Sequence, residues 1–350
     1  MSTRFRIRAL IQPIAVAPLL CGFLAAPAIL AAQQPYKIID RWKIGGDGGW
    51  DDLHADSAAH RLYLTHGTRV DVVDTQSGML VGSITGLHGT HGVALDDAGK
   101  FGYISDGGGN AVVVFDRATL ATVATIPVGK NPDAIVFESA TQTVWAFDGR
   151  SNDVSVISAG TRKLVATIPL PGKPEFAAGD GKGLIYDNIE DKNEVVRIDA
   201  HTNAITATWP LTGCDSPSGL AIDVAASRLF SVCDGKRMAV TDANTGKSLA
   251  NPVIGDGPDG AGFDPAHKLA FASCGGTGTF TVIDASAANY PAIENLPTQR
   301  GARTMTYDAA TDRAYLVSAE FGPRPDQTPD NPRPRPPVLP GSFVVLVVGR

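Results

Sequence analysis

Charged side chains are scarce in this sequence, at 19% against a norm of about 25%. The chain also has no nucleophile-elbow, Walker, Rossmann or HExxH motif. The sequence therefore does not indicate a serine hydrolase of the nucleophile-elbow type, a P-loop or dinucleotide-binding protein, or a zinc protease of the HExxH type. Glycine and proline are frequent instead, with 38 and 24 copies in 350 residues. Together with 43% apolar residues, this composition favours many short strands joined by tight turns around a substantial core.

Long apolar runs are missing except near the N terminus. Residues 1–32 open with three arginines within eight positions, continue as an apolar run from Leu10 to Leu30, and end in small residues. This order is typical of a secretory signal peptide, and three prolines interrupt the run. No later run could cross a bilayer. We therefore expect a periplasmic or secreted protein with one mature domain, residues 33–350, and no transmembrane segment in it.

A basic excess is also lacking. The formal net charge is −6, and removal of residues 1–32 takes away three arginines and no acid, which gives −9. An acidic surface repels phosphate backbones and gains nothing from counterion release. Nucleic acid is therefore not an expected partner.

An internal repeat of about 42 residues runs through the rest of the chain. Its seven copies start with DDLHADS, HGVALDD, DAIVFES, EFAAGDG, SGLAIDV, DGAGFDP and RTMTYDA, at positions 51, 91, 133, 175, 218, 259 and 303. Each start is followed by further runs with strand-forming residues, bounded by Gly, Asp and Asn. Four strands in a repeat of this length indicate one blade of a β-propeller.

The seventh repeat lacks a fourth strand after SFVVLVV at 342–348. The segment Tyr36–Ile44 precedes the first repeat and matches the fourth strands elsewhere. Pairing it into the last blade removes exposed strand edges. The sequence therefore predicts an all-β fold: a seven-bladed β-propeller of four-stranded antiparallel blades, closed by an N-terminal strand in the last blade.

Several phrases of the sequence also resemble a known family. They are GGDGGWD (45–51), THGTRVDVVD (65–74), NPDAIVF (131–137), KPEFAAGDGKG (173–183), NIEDKNEVV (188–196) and PTQRGARTM (297–305). In them the chain resembles the YncE-like, YVTN-repeat family of secreted seven-bladed β-propellers, over roughly residues 36–350. The resemblance implies an extracytoplasmic propeller and does not imply a reaction.

Polar residues concentrate at one end of the predicted blades, which we call the top face. It is the end where the first strand of each blade begins and its second strand ends. The first position of the innermost strand varies among acid, histidine, serine and arginine, whereas a structural requirement would favour one residue type. We therefore expect a ligand-facing surface there, the alternative being the polar mouth of a water-filled channel. The predicted ligand-binding residues are Trp50, Asp51, His66, His91, Asp133, Asp148, Glu175, Asn188, Asp259, Arg303 and Glu320.

Two chemical roles are open for this set. A divalent metal would use imidazole nitrogens and carboxylate oxygens, and the candidate ligands are His66, His88, His91 and Asp51. Catalysis would use a base, a carboxyl group and an anion anchor, and the candidates are His66, His91, Glu175 and Arg303. The histidines could also be hydrogen-bonded surface residues.

Three cysteines remain after residue 32. Cys214 enters blade 5 and Cys233 ends its second strand, so both lie at the top of one blade. Cys274 occupies the position of Cys233 in the next blade, about 10 Å away, which is beyond the reach of a disulfide. We therefore predict a Cys214–Cys233 disulfide and a free Cys274.

A proline-rich segment, residues 322–341, separates the second and third strands of blade 7. Its connection type places it on the top face, where it would either cover the central pocket or form a solvated loop.

Two functions follow from these observations. The first is binding of a small ligand or a protein partner at the top-face pocket by a monomeric propeller. The alternative is a lactonase-like hydrolase or a lyase that uses the same histidine, carboxyl and arginine cluster, with or without a metal.

Overall fold

The computed structural model describes residues 1–3, 5, 9–10, 34–328, 334 and 336–350. Residues Met1–Gln34 form a unit of their own, and its described residues lie outside any helix or strand. The apolar part of the predicted signal peptide, 11–32, falls outside the described residues. No helix in the described part of the chain is long and apolar enough to span a membrane.

Residues Pro35–Arg350 form the second unit, which contains twenty-eight strands in its described residues. They make seven antiparallel sheets of four strands each, which confirms the predicted seven-bladed propeller. Blades 1 to 3 consist of β2 Leu53–Asp56, β3 Arg61–His66, β4 Arg69–Asp74 and β5 Leu80–Ile84; β6 Thr90–Leu95, β7 Phe101–Asp106, β8 Ala111–Asp116 and β9 Thr122–Pro127; and β10 Pro132–Glu138, β11 Thr143–Asp148, β12 Asp153–Ser158 and β13 Lys163–Pro169.

Blades 4 to 6 repeat the same order. They consist of β14 Pro174–Gly179, β15 Leu184–Ile189, β16 Glu194–Asp199 and β17 Ala204–Pro210; β18 Asp215–Asp223, β19 Arg228–Asp234, β20 Arg237–Asp242 and β21 Ser248–Ala250; and β22 Pro258–Asp264, β23 Leu269–Cys274, β24 Thr279–Asp284 and β25 Ala292–Pro297. Two short 3-10 turns, Gly107–Gly109 and Glu190–Lys192, follow the second strands of blades 2 and 4.

Blade 7 joins the two ends of this unit. It consists of β26 Met305–Asp308, β27 Arg313–Ser318, β28 Val344–Gly349 and β1 Lys37–Lys43. β1 pairs antiparallel with β28, with Lys37 opposite Gly349 and Lys43 opposite Val344, so the predicted closing strand is confirmed. Without β1, the edge of β28 would be unpaired.

The hydrophobic core lies between the blades. Trp145 and Phe147 of blade 3 are fully buried and pack with Ile185 and Ile189 of blade 4. Similar clusters fill the other junctions, because strands buried on both faces need apolar side chains on both. The first strands of the blades contact one another in chain order, and β26 contacts β2. This ring of inner strands brings seven equivalent positions together at the top face.

The predicted disulfide is confirmed. Cys214 and Cys233 are bonded, with their Cα atoms 5.3 Å apart. Cys274 is a free, buried thiol. The bond ties the segment that enters blade 5 to the end of its second strand.

Candidate functional site

The inner strands begin irregularly, and this irregularity sets the direction of their first side chains. In blades 2 to 6 the pairing of the first two strands is interrupted just after the strand begins. The residues at the interruptions are His91, Asp133, Glu175, Ser218 and Asp259. Bulges of this kind re-aim side chains and are common beside active sites.

Seven positions therefore form one structure, which we call the rim. The rim consists of Asp51, His91, Asp133, Glu175, Ser218, Asp259 and Arg303, one residue from each blade. All of them except Arg303 line a single cavity of about 60 Å³. Arg303 closes the ring by contacting Asp51 and Asp259.

The backbone of the rim is held by the blades. Asn188 Nδ2 donates to the carbonyl of Ser218 over 2.8 Å, and Ser105 Oγ donates to the carbonyl of Asp133 over 2.5 Å. At Gly219 a Cβ atom would lie 2.4 Å from the carbonyl oxygen of Asp259, so only glycine allows the two inner strands to approach this closely. The blades thus hold the rim through contacts with its backbone. The side chains at these positions are left free to line the cavity.

Ion pairs connect five of the seven rim residues. His91 Nδ1 lies 2.6 Å from Asp51 Oδ2 and 3.5 Å from Asp133 Oδ1. On the other side, Arg303 Nη2 lies 3.1 Å from Asp51 Oδ1, and Arg303 Nε lies 2.7 Å from Asp259 Oδ2. Asp51 is therefore held between two cations, and both of its oxygens are used.

Glu175 is paired from outside the ring. Lys173 Nζ lies 2.9 Å from Glu175 Oε2 and also contacts Glu190. Sequence reasoning missed Lys173. The available indication was the triplet Lys173-Pro174-Glu175, which stands where other blades have Asn-Pro-Asp, Ser-Pro-Ser and Gly-Pro-Asp and carries a cation two residues before the rim position.

Burial and crowding shift the protonation of the rim. Burial raises the pKa of Glu175 to about 7, and the nearby charge of Asp133 adds to the rise. Burial likewise raises the pKa of Asp133 to about 6, although the His91 charge opposes it. Burial alone would lower the pKa of His91, but its hydrogen bond with Asp51 and the surrounding carboxylates raise it to about 9. At pH 7 His91 is therefore a cation.

A channel continues below the rim along the inner strands. Its volume is about 400 Å³, and Asp52 and His54 line it. Burial raises the pKa of Asp52 well above its usual range and lowers the pKa of His54 to about 4. His54 is therefore neutral at pH 7, and burial disfavours the charged form of Asp52.

A larger pocket of about 590 Å³ adjoins the rim cavity, and we call it the side pocket. Glu175 and Asp259 line both spaces. The other wall is apolar and includes Trp50, Phe321 and Val338. The Trp50 ring packs against Phe321 and lies 5.8 Å below the Arg303 guanidinium.

The base of the proline-rich segment forms part of this wall. Phe321 and Val338 form an isolated β-bridge, and Gly322 N donates to Pro337 O over 2.8 Å. Residues 329–333 and 335, in the middle of the segment, lie outside the described residues. The described ends of the segment therefore stand beside the rim.

Other predicted site residues lie away from the rim cavity. His66 is fully buried, with Nδ1 2.8 Å from Asp71 Oδ2 and its ring 4.2 Å from that of Phe343. His88 is exposed and pairs with Asp106 at 3.0 Å. These contacts give the two histidines partners within their own blades.

Asp148, Asn188 and Glu320 also lie outside it. Asp148 is buried and accepts a hydrogen bond from Ser155 Oγ over 2.7 Å. The strand register places Ile189, not Asn188, at the position equivalent to Asp148. Glu320 is exposed and lines a groove that shares Gly301 and Phe321 with the side pocket.

Two of the four predicted metal ligands, Asp51 and His91, lie close enough together to share a metal ion. In the described part of the chain, ligand atoms of Asp51, His91 and Asp133 lie within 4.8 Å of one another. His66 and His88 do not belong to that group. Because Arg303 and the protonated His91 already balance Asp51, a metal would have to displace a proton and approach a guanidinium.

Comparisons with known proteins support the fold only. No protein-family model matches the chain, and no curated protein does. Among solved structures, the hydrazine synthase of Kuenenia stuttgartiensis is similar over 77% of this chain and 92% of its own, with 15% identity and a TM-score of 0.70. The structure of U3-55K matches 89% of this chain and 98% of its own, with 9% identity and a TM-score of 0.72. The RRP9 WD40 repeats match 89% and 97%, with 9% identity and a TM-score of 0.73.

These likenesses establish a seven-bladed β-propeller. At such low identity they carry no residue roles, and propellers serve many unrelated functions.

Proposed function

We propose that this chain is an extracytoplasmic, YncE-like β-propeller that binds a small ligand at the rim and in the side pocket. The observation that carries the proposal is the rim itself. Its seven equivalent positions, five of them at strand interruptions, carry carboxyl, imidazole, hydroxyl and guanidinium groups, and six of them line one cavity. A purely structural ring would not need acid, imidazole, hydroxyl and guanidinium at the same position. Concave sites with a few converging polar groups are the usual form of a ligand site.

The location forms part of the same proposal. Residues 1–32 have the order of a secretory signal peptide, and the disulfide is compatible with an oxidising compartment. The family resemblance points to the same compartment. N-terminal sequencing of the protein recovered from the periplasm or the medium should give a start near residue 33.

A thermal-shift panel tests the binding function. Small amines, carboxylic acids, lactones and divalent cations are each added to the wild-type protein and to Glu175→Gln. At least one class should raise the melting temperature of the wild type by several degrees and leave Glu175→Gln unmoved. Glu194→Gln, a carboxyl change outside the rim, should respond like the wild type. If no class acts, or if the shift survives in Glu175→Gln, the rim is not a ligand site.

A hydrolase or lyase at the same place is the second candidate, favoured by one observation. A carboxyl group with a pKa near 7, such as Glu175, suits a general base at neutral pH. His91 is protonated at that pH and would act instead as a cation or an acid. Turnover of a lactone by the wild type that is lost in Glu175→Gln and unchanged in Glu194→Gln would favour this candidate.

A further inference from the structure

A second concave surface, which we call the outer groove, lies at the top of blades 6 and 7 and outside the rim. Its volume is about 680 Å³. Gln299 and Arg300 line it from the loop that enters blade 7, and Phe321, Arg324 and Pro336 line it from the base of the proline-rich segment. None of the seven rim residues lines it. Its chemistry can therefore be considered apart from that of the rim.

Arginines without a carboxylate partner reach this groove from three segments of the chain. Arg300 and Arg324 line it, and within residues 34–328, 334 and 336–350 neither side chain makes a hydrogen bond or an ion pair. Arg41 of β1 donates from Nη1 to Gln299 Oε1 over 3.2 Å and has no ion pair in the same described ranges. Among the described lining residues, Glu320 is the single acid. The outer groove is therefore positively charged and has guanidinium donors available for an anion.

The neighbouring surface has the opposite charge. Exposed carboxyl groups lie at the tops of blades 4 to 6, at Asp191, Asp215, Asp234 and Asp256. The formal net charge of the whole chain is also negative, at −6. An acidic ligand would thus be attracted to the outer groove and repelled by the surface beside it. Charge complementarity of this kind selects a partner and fixes its orientation.

The groove also has an apolar side. Phe321 is 37% exposed, although large aromatic side chains are usually buried, and Pro336 lines the same space. Arginine and aromatic residues are enriched together in protein–protein interfaces. The lining of the outer groove therefore has the composition of an interface.

The open form of the groove favours a polypeptide segment over a small molecule. Arg300, Glu320, Phe321 and Arg324 are all exposed, whereas a site for a small ligand encloses most of the ligand's surface. An extended segment can bring separate carboxylates to separate arginines and an apolar side chain to Phe321. It can also continue beyond the groove at both ends.

We infer that the outer groove binds an extended, acidic segment of a protein partner. Carboxylates of the segment pair with Arg300 and Arg324, and an apolar side chain packs on Phe321. The inference goes beyond the proposed function, because it concerns a second surface and a macromolecular partner.

Fluorescence anisotropy with a short labelled peptide of alternating glutamate and leucine tests the inference. The matched probe has lysine in place of every glutamate. The wild type should bind the acidic peptide about tenfold more tightly than the basic peptide. Added salt should weaken this binding, because the paired charges are exposed to solvent.

Matched variants locate the binding. Arg300→Gln and Arg324→Gln should each weaken binding of the acidic peptide about threefold, and the double variant about tenfold. Arg150→Gln removes an exposed arginine from the top of blade 3 and should leave the affinity unchanged. Glu175→Gln, in the rim, should also bind the peptide like the wild type. Both groove arginines are exposed, so the fold should survive their removal, which circular dichroism checks.

Several results would overturn the inference. Equal affinity for the two peptides, no binding of either, or an equal loss in Arg150→Gln would show that the groove arginines do not select the ligand. Binding that is lost in Glu175→Gln and kept in the double arginine variant would assign the peptide to the rim. Glutarate binding as tight as that of the peptide, and lost in the double variant, would assign the groove to a small organic anion.

The proposed function is judged by a different measurement. Failure of the acidic peptide leaves the thermal-shift result at the rim unaffected. A negative thermal-shift panel together with normal peptide binding would refute the small-ligand site and leave the outer groove standing.

Discussion

His91 shows how the rim is held together at the scale of a single residue. Its imidazole contacts Asp51 and approaches Asp133, and these carboxyl groups keep it protonated at neutral pH. A histidine whose pKa is higher in the folded than in the unfolded chain stabilises the fold while it is charged. That stabilisation is complete below the ordinary value of 6.5 and is lost as the pH rises through about 9.

The substitution His91→Gln tests this assignment. The wild type should exceed the variant in free energy of unfolding at pH 6, and the difference should shrink by about 2–3 kcal/mol by pH 10. Urea denaturation at intervals across this range gives the difference. His201→Gln, in an exposed turn, should show no such pH dependence. A difference between wild type and His91→Gln that stays constant with pH would contradict the ion pairs.

At the scale of elements, the disulfide in blade 5 constrains the approach to an inner strand. It closes a loop with a sequence separation of 19 residues between two buried cysteines. Replacing Cys214 and Cys233 together by serine should lower the free energy of unfolding by about 3 kcal/mol, because the unfolded chain regains the freedom of that loop. A reductant should lower the free energy of unfolding of the wild type and leave that of the double variant unchanged. A reductant effect of equal size in both would contradict this assignment.

β1 is the element that closes the ring. Trp42 on this strand is buried, and its ring lies 5.5 Å from that of Tyr315 in β27. Trp42→Ala should reduce the free energy of unfolding by about 3 kcal/mol, since a large aromatic group leaves a packed junction. Ile39→Ala, at an exposed position on the same strand, should change it by less than about 0.5 kcal/mol. Calorimetric melting measures both variants. If Trp42→Ala and Ile39→Ala destabilised the protein equally, β1 would contribute no specific packing.

The elements were predictable from the sequence, and much of the site was not. A repeat with four apolar runs specifies four strands, so the blades and β1 followed from the pattern. The interruptions at Pro132–Ile135 and its equivalents add residues to one strand only, and simple alternation cannot show where those side chains point. The residue equivalent to Asp148 is Ile189, one position after Asn188, and only the pairing between the two strands shows this register.

Contacts between distant segments were also beyond the sequence pattern. The sequence predicts His66 as a ligand-binding residue, but the structure buries it against Asp71 and Phe343. The wall formed by Phe321 and Val338 depends on how the proline-rich segment folds back on itself. Such contacts follow from tertiary packing, which local spacing does not encode.

At the scale of the whole molecule, the blade junctions supply stability, and the rim carries acids whose ionisation is unfavourable. The blade junctions are apolar and close-packed, whereas Asp133 and Glu175 have pKa values of about 6 and 7 because burial penalises their charged forms. An acid whose pKa is raised in the folded chain destabilises the fold above the pKa that it has in the unfolded chain. The cost is small near pH 4, grows with pH, and is complete above about pH 7. Ligand sites commonly carry such a cost, which the bound ligand relieves.

The stability of the double variant Asp133→Asn, Glu175→Gln tests this central claim most directly, because no ligand has to be known. Urea denaturation at pH 8 should show the variant to be more stable than the wild type by about 2 kcal/mol or more, and the gain should vanish at pH 4. A rim built to hold the blades together would give the opposite result. A variant that is less stable than the wild type at pH 8 would contradict the account.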